Sequence, residues 1–340
     1  MPRVPRVCLE HLRLLSDDTG LIQHATHSVA RRETGYSTDD NARALIAVAR
    51  ESNGRSAVVA RELAHTYLAF LAHAQREDGT FHNYLGYDRR WLDEMGSEDC
   101  QGRVAWACAE AMCSALPAGE QRLADLLFER LLPAVTQVTS PRAVALVLLA
   151  VEKLPPKERR ALQHVADQLA VSLVDRYFGC RHHDWHWFEP VLAYANARLP
   201  EGMLAVYRLT GEKRYLRIGM EALDFLAALT VRDGIFVPIG NRRWYRKGEQ
   251  RSEYDQQPIE AGCMVAAAAA AWRITSRRRY HALAGQALGW FHGRNTKCLP
   301  LADPSRGSCH DGLSETGINL NEGAESTVMY LLALQDYAQP

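Results

Sequence analysis

Helical segments of two kinds alternate along this chain of 340 residues. One kind is amphipathic, with apolar residues three and four positions apart among charged ones, which is typical of a helix with one solvent face. The other kind is apolar or small on nearly every side, as in the six alanines 266–271, and such a helix has to be buried all round. The pattern predicts six pairs, each an outer helix followed by an inner one: 3–15 and 39–51, 57–76 and 98–116, 119–135 and 141–153, 157–176 and 190–210, 213–229 and 256–274, and 277–293 and 322–337.

Short motifs recur at one offset of 155 residues. Residues 70–72 and 78–81 match 225–227 and 233–236, and Asp40-Asn41-Ala42-Arg43 matches Ala195-Asn196-Ala197-Arg198. A shared offset predicts two related halves of three helix pairs each. A third echo, 65 residues apart, joins pairs five and six: Thr210, Arg214, Tyr215, Ala222, Leu223 and Phe225 recur as Thr275, Arg279, Tyr280, Ala287, Leu288 and Trp290.

Outer helices around a ring of buried inner ones define an all-α (α/α)6 toroid, here expected as one domain over 1–340. The links from outer to inner helices are mostly long, at about 16–38, 77–97, 177–189, 230–255 and 294–321. Long loops in a compact domain are usually functional. All of them would emerge beside the N-termini of the inner helices, where the helix dipoles favour anionic groups. We therefore expect the functional site on that face. Pro200 interrupts the fourth inner helix, which leaves open that 190–198 form a separate turn.

Composition narrows the class of protein. The formal net charge is zero, so no electrostatic footprint for nucleic acid is present. The N-terminus lacks the apolar run of a signal peptide, and no stretch has the length of a transmembrane helix. Eight cysteines without a C-x-x-C pair, among them Cys108, Cys113 and Cys263 on apolar helices, are interpreted as reduced, buried thiols. These features favour a cytoplasmic protein without membrane partner, a monomer or small homo-oligomer.

Carboxylates stand at the starts of the inner helices and in the long loops. Glycoside cleavage needs two carboxyl groups across the scissile bond, roughly 6.5–9.5 Å apart in inverting enzymes. Acids beside apolar helices are costly unless paired or used, and burial raises their pKa as a general acid requires. The hypothesis is Glu189 as general acid and Asp40 as general base, with Asp255, Glu260 and Glu325 as reserves. Asp39 and Asp255 have a simpler interpretation as N-caps, and Asp78 and Asp233 as turn residues.

Sugar rings stack on aromatic side chains, and their hydroxyls bond to planar acceptors and donors. Trp91, Trp185, Trp187, Trp244 and Tyr245 are the candidate platforms. Arg43 and Arg198 have an alternative interpretation as structural partners of carboxylates. His182, Asp184 and His186 have a metal-like spacing but occupy a Trp-rich loop instead of a helix, so we expect neither metal nor cofactor. The candidate substrate-binding residues are Tyr36, Asp39, Asn41, Arg43, Trp185, His186, Trp187, Asn196, Arg198, Asn241, Trp244, Tyr245, Gln256, Gln257 and Glu322.

Five segments together resemble a bacterial family of six-hairpin glycosidase-like proteins, often labelled glycosyltransferase-associated. They are 17–24, 35–43, 188–200, 255–261 and 321–327. The resemblance spans nearly the whole chain and implies the (α/α)6 fold and a carbohydrate ligand. Members tend to carry Asp where this chain has Ala195, so a role of that acid would be lost or relocated here.

Three functions remain open at this point. The first is an inverting glycoside hydrolase acting on an oligosaccharide. The second is a sugar epimerase, whose relatives of this shape use paired His on the inner wall, or a phosphorylase, for which Arg43, Arg198, Arg243 and Arg246 could bind phosphate. The third is a non-catalytic glycan-binding module, since fold does not fix function.

Overall fold

The computed structural model describes residues 4–339, and helices dominate it. The helix–loop alternation follows the predicted order, and most bounds agree within a few residues. Thirteen α-helices occur in this range: α1 Glu10–Leu15, α2 Thr38–Arg50, α3 Ala57–Ala74, α4 Glu98–Met112, α5 Ala118–Val135, α6 Pro141–Lys153, α7 Pro156–Ala161, α8 Gln163–Cys180, α9 Arg198–Thr210, α10 Lys213–Thr230, α11 Pro258–Thr275, α12 Arg278–Phe291 and α13 Ala324–Ala338.

Six inner helices form a closed ring. In ring order α2, α4, α6, α9, α11 and α13 each pack against the next, and α13 packs against α2. Their residues are almost entirely buried, as expected for helices without a polar face. The outer helices α3, α5, α8, α10 and α12 bury one face only. The all-α (α/α)6 toroid predicted from the sequence is therefore confirmed.

Three helices differ from their predicted bounds. The fourth inner helix begins at Arg198 instead of 190, because Pro200, which lacks an N–H, is tolerated only in a first helical turn. The first outer helix starts at Glu10 instead of 3; residues 4–9 are not helical, and residue 3 lies outside the described range. The helix predicted at 157–176 is two helices, α7 and α8, with Leu162 between them.

The repeated motifs have structural counterparts in the outer helices. Helices α3 and α10 are both 18 residues long, and each leads into an Asp-Gly turn whose glycine has positive φ, at Gly79 and Gly234. The echo between pairs five and six is closer still. Arg214 and Arg279 each lie over the ring of the following tyrosine at 4.6 Å. The match of 40–43 with 195–198 is looser, since the first lies inside α2 and the second straddles the start of α9.

The long links carry short antiparallel hairpins and two pairings between different loops. Strand β3 pairs with β4, which joins the loops before α2 and α4, and β5 pairs with β8, which joins the loops before α9 and α11. The mouth of the ring is thus framed by interlocked loops. The strands are β1 Ala25–Thr26, β2 Val29–Ala30, β3 Tyr36–Ser37, β4 Tyr84–Leu85, β5 Val191–Leu192, β6 Val231–Arg232, β7 Ile235–Phe236, β8 Tyr245–Arg246, β9 Ala302–Asp303, β10 Ser308–Cys309, β11 Gly312–Leu313 and β12 Ile318–Asn319.

All eight cysteines are free. Cys108 and Cys263 are buried as predicted, but Cys113 and Cys298 are exposed. Cys113 is exposed because α4 ends at Met112 and places it in the C-cap. Across residues 4–339, none of the helices combines the length and apolarity needed to cross a membrane.

Candidate active site

A cavity of about 440 Å³ opens at the mouth of the ring, beside the N-termini of the inner helices. The first turns of α2, α4, α11 and α13 contribute to its wall, and so do loops that precede α2, α4 and α9. Four carboxylates and two guanidinium groups line it, so acidic groups are in excess. The lining residues are Gln23, His24, Ser37, Asp39, Asp40, Arg43, Asn83, Tyr84, Ser97, Asp99, Arg103, Tyr194, Ile259 and Glu325.

Two consecutive aspartates at the start of α2 have different surroundings. Ser37 caps this helix by accepting a hydrogen bond from the Asp40 N–H. The two oxygens of Asp39 are bound by two guanidinium groups, Arg103 Nε at 2.5 Å and Arg43 at 2.7 Å. Asp40 accepts from Arg43 at 2.9 Å and from the Ser37 hydroxyl at 2.7 Å. Both aspartates are thus fixed in place, but Asp39 carries twice the guanidinium contact.

The pKa values of these aspartates diverge. Burial raises the pKa of Asp40 to about 7, and the neighbouring Asp39 and Glu325 charges add to this effect against the opposing influence of Arg43. Burial would also raise the pKa of Asp39, but Arg103 and Arg43 outweigh it and hold that pKa below its ordinary value. Near neutral pH the site therefore contains an ionised Asp39 beside an Asp40 that is partly protonated.

Glu325, in the first turn of α13, completes a group of three acids. Carboxylate oxygens of Asp39, Asp40 and Glu325 lie within 4.8 Å of one another, a spacing that suits a metal ion. The Arg43 guanidinium contacts all three, reaching Glu325 at 3.2 Å, so a protein cation already occupies the centre of this group. Glu325 is the most exposed of the three, at 41% of its side chain.

Two predicted catalytic acids contact other groups. Glu189 accepts a hydrogen bond from Arg142 at 2.8 Å. Glu260 is buried and accepts from the backbone N–H groups of Ala195 and Asn196 and from the Asn196 amide. Burial raises the pKa of Glu260, against the effect of these hydrogen bonds. Neither carboxylate lines the cavity.

Asp255, predicted as a reserve catalytic acid, and most of the predicted ligands do not line the cavity. Asp255 is paired with Arg242 at 3.2 Å. Arg198 is buried and bound to Glu201, and Tyr36 is buried with its hydroxyl on Asp17. Of the predicted ligands, only Asp39 and Arg43 reach the wall. The remaining ones that do not are Asn41, Trp185, His186, Trp187, Asn196, Asn241, Trp244, Tyr245, Gln256, Gln257 and Glu322.

The predicted tryptophan platforms belong largely to the core. Trp185 and Trp187 are 3% and 0% exposed and pack edge-on against Phe225 and Phe188, so neither ring has a face free for a sugar. Trp91 stacks on His82 at 4.7 Å. Trp244 is 37% exposed, but it is not part of the cavity wall.

Sequence reasoning missed four residues of the wall that carry its chemistry. Arg103 had a signal, because it follows Asp99 at the spacing at which Arg43 follows Asp39, each pair opening an inner helix. His24, Tyr84 and Tyr194 come from long loops, where no periodicity indicates which side chains turn inward. The two tyrosines are 46% and 43% exposed, as an aromatic surface for a ligand requires.

No protein-family model and no curated protein sequence matches the chain. Solved structures do. A D-mannose isomerase superposes with a TM-score of 0.72 at 12% identity, covering 96% of this chain and 95% of that one. A cellobiose 2-epimerase from Spirochaeta thermophila gives 0.71 at 12% identity over 96% and 92%. A GH76A α-1,6-mannanase from Salegentibacter gives 0.63 at 11% identity over 97% and 96%. These likenesses establish the six-hairpin glycosidase-like fold.

Proposed function

We propose that this protein is a glycoside hydrolase that acts on an oligosaccharide, with Asp40 as general acid and Glu325 as its carboxylate partner. The observation that carries the proposal is the raised pKa of Asp40 inside a cavity that it shares with Glu325 and with Asp39, whose pKa is held below its ordinary value. Neighbouring carboxyl groups whose surroundings separate their pKa values, as those of Asp40 and Asp39 do here, are typical of glycosidase acid–base sites. The mannanase among the structural neighbours supports the same reaction class.

The spacing favours a retaining mechanism over the inverting one expected from the sequence. One oxygen of Asp40 and one of Glu325 lie no more than 4.8 Å apart, which is below the roughly 6.5–9.5 Å that admits a water in inverting enzymes. Asp40 would protonate the glycosidic oxygen while Glu325 attacks the anomeric carbon. Asp40 would then deprotonate the water that releases the sugar. Asp39 is the weaker nucleophile, because two guanidinium groups engage its oxygens.

In this proposal Asp40 changes from general base to general acid, and Glu325 replaces Glu189 as its carboxylate partner. Asp40, predicted as the base, has the protonation of an acid near neutral pH. Glu189, predicted as the general acid, is bound to Arg142. It remains a candidate for that role only if Asp40 proves dispensable.

Azide rescue tests the assignment directly. Wild type, Asp40→Asn, Glu189→Gln and Glu325→Ala are assayed on oligosaccharides and aryl glycosides. We expect loss of about a hundredfold or more in turnover for Asp40→Asn. Glu325→Ala should lose turnover and regain it with azide as a glycosyl azide, because a small anion can occupy the nucleophile's place. Full activity of Asp40→Asn with an inactive Glu189→Gln would refute the assignment, and binding without turnover would favour a glycan-binding module.

A second candidate is a sugar epimerase or isomerase. The observation that favours it is His24, a potential base, on the wall of the same cavity, together with the epimerase and isomerase structures among the neighbours. Incubation with reducing sugars in heavy water separates the two reactions, since epimerisation next to a carbonyl exchanges a carbon-bound hydrogen and hydrolysis does not. Phosphorolysis has less support, because Arg198, Arg243 and Arg246 lie outside the cavity wall.

A further inference from the structure

Tyr194 is an exposed aromatic residue that the protein holds rigidly. Its side chain is 43% exposed at the cavity. Its hydroxyl donates to Asp99 at 2.7 Å, its carbonyl accepts from Arg142 Nε at 2.6 Å, and the Arg142 guanidinium covers one ring face at 4.4 Å. Ordering a solvent-exposed side chain costs conformational entropy. A side chain that is both exposed and held in one orientation is expected where its exposed face binds a ligand.

A buried acid fixes the turn that follows Tyr194. Ala195 has φ of 47°, in the left-handed region that is unfavourable for a residue with a Cβ. Glu260, from the first turn of α11, accepts the N–H groups of Ala195 and Asn196, with the Asn196 amide at 2.9 Å. The hairpin of α11 thereby locks a strained turn in the loop before α9. Strain persists where its surroundings over-determine it, and such sites are commonly functional.

Arg142 is itself held in position by Glu189. One guanidinium nitrogen of Arg142 donates to Glu189 at 2.8 Å, with only 6% of the Arg142 side chain exposed. The Arg142 guanidinium that covers the Tyr194 ring is therefore fixed by Glu189, a second residue of the loop before α9. If this network served only to close the loop onto the ring, the tyrosine ring would be packed inside it. Instead, Arg142 covers one face of the ring, and the ring takes part in the wall that contains Asp39 and Asp40.

We propose that Tyr194 is the platform on which a pyranose ring of the substrate stacks, and that Glu260 and Glu189 are positioning residues for it. Glu260 acts through the backbone of the 194–196 turn, and Glu189 acts through Arg142. This inference rests on the proposed function, and it gives the buried Glu260 and the partly buried Glu189 a role other than proton transfer. It predicts a substrate ring with one face of C–H groups, since an aromatic face pairs with an apolar surface.

Ligand binding measured without turnover tests the platform. Wild type, Tyr194→Ala and Tyr194→Phe are titrated with cellobiose and with α-1,6-mannobiose by saturation-transfer NMR. Tyr87→Ala is the matched control, because Tyr87, in the loop before α4, is 45% exposed but is not part of the cavity wall. We expect Tyr194→Ala to weaken binding about tenfold, Tyr194→Phe to retain it within about threefold, and Tyr87→Ala to leave it unchanged.

Kinetics then test the positioning residues. Glu260→Gln and Glu189→Gln should raise KM by several-fold more than they lower kcat, because they misplace a binding surface and leave the reacting carboxylates in place. Equal affinity of Tyr194→Ala and Tyr87→Ala, or no binding of either sugar by wild type at millimolar concentration, would overturn the inference. Retained Tyr194-dependent binding without hydrolysis would instead refute only the proposed reaction. A predominant loss of kcat in Glu260→Gln with normal thermal unfolding would return that residue to a catalytic role.

Discussion

Two neighbouring aspartates on one helical turn differ in charge state because of where their oxygens point. Asp39 meets Arg43 and Arg103, which hold its pKa low, whereas burial and two nearby carboxylates raise the pKa of Asp40 to about 7. Sequence position alone would make them equivalent. The difference between the pKa values of Asp39 and Asp40 is therefore a property of their contacts, which no linear motif displays.

The pKa of Asp40 sets a direction for the dependence of activity on pH. As a general acid, Asp40 has to be protonated, so kcat/KM should fall as pH rises above about 7. This limb reports the free enzyme, in which Arg43, Asp39, Glu325 and Ser37 surround the carboxyl. A profile of kcat/KM between about pH 4 and pH 9 measures it. A basic limb unchanged in Asp40→Asn would show that another group titrates there.

Substitution of Arg103 tests whether its guanidinium stabilises the Asp39 carboxylate. Its guanidinium binds Asp39 with 8% of the arginine side chain exposed, so Arg103→Met would leave a carboxylate with half of its compensation. The expected result is a rise in the pKa of Asp39 and a drop in unfolding free energy of about 3–5 kcal/mol. Chemical denaturation measures the drop. Arg89→Met is the control, because its contact with Asp18 is exposed and should contribute at most about 1 kcal/mol.

At the scale of elements, glycines set how closely inner helices approach. A Cβ on Gly202 of α9 would lie 2.8 Å from the Cβ of Ala145 on α6, and one on Gly102 of α4 would lie 3.0 Å from the Ala143 carbonyl oxygen. Neither neighbour can rotate away, because a Cβ and a backbone oxygen move only with the helix. The ring is thus as narrow as its small residues permit.

Gly202→Ala should therefore destabilise the protein by about 1–3 kcal/mol through overpacking. Gly179→Ala is the matched control, since an added Cβ there meets nothing within 4 Å in α8. Alanine is favoured over glycine in a helix by about 0.5–1 kcal/mol, so the control should be neutral or stabilising. Urea unfolding of both variants measures the difference, and equal stability would contradict tight packing between α6 and α9.

Most elements could be predicted from the sequence because apolar periodicity determines which helix faces are buried. The polyalanine run predicts that α11 is buried on all sides, and the amphipathic pattern of α10 predicts that it buries one face. Loop geometry could not be predicted, because it depends on contacts between distant segments. The turn at Ala195 is held by Glu260 from another hairpin, and the inward direction of Tyr194 follows from that contact. Trp187, predicted as a sugar platform, is buried, since an aromatic residue in a loop is equally suited to a core and to a platform.

On the scale of the whole molecule, the ring is closed by charge as well as by packing. Arg50 of α2 binds Glu110 of α4 at 2.7 Å and Asp336 of α13 at 2.9 Å. It thereby joins the first two inner helices to the last. Lys153 of α6 also reaches Glu110, at 3.0 Å. These contacts lie at the C-terminal ends of the inner helices, opposite the cavity, where cations complement the helix dipoles.

Arg50→Met should lower the free energy of unfolding by about 3–5 kcal/mol, because it leaves the poorly exposed Asp336 carboxylate unpaired and Glu110 with Lys153 as its remaining cation. Activity per folded molecule should remain, since Arg50 is remote from the cavity wall. Denaturation followed by circular dichroism, alongside kinetics at low temperature, separates the two effects. Loss of turnover in a fully folded variant would indicate that the ion pairs of Arg50 affect the cavity at the opposite end of the ring.

The connections of the toroid are unequal at its two ends. Helices α9 and α10 are separated by residues 211–212, and α11 and α12 by 276–277, whereas residues 231–257 precede α11 and 292–323 precede α13. Short links fix the register of each hairpin and leave no slack for inserted residues. The long ones can change in length and composition without altering the register of the ring. Exchange of the long loops can therefore change the residues at the mouth of the ring, whereas the two-residue links at the opposite end tolerate little change in length.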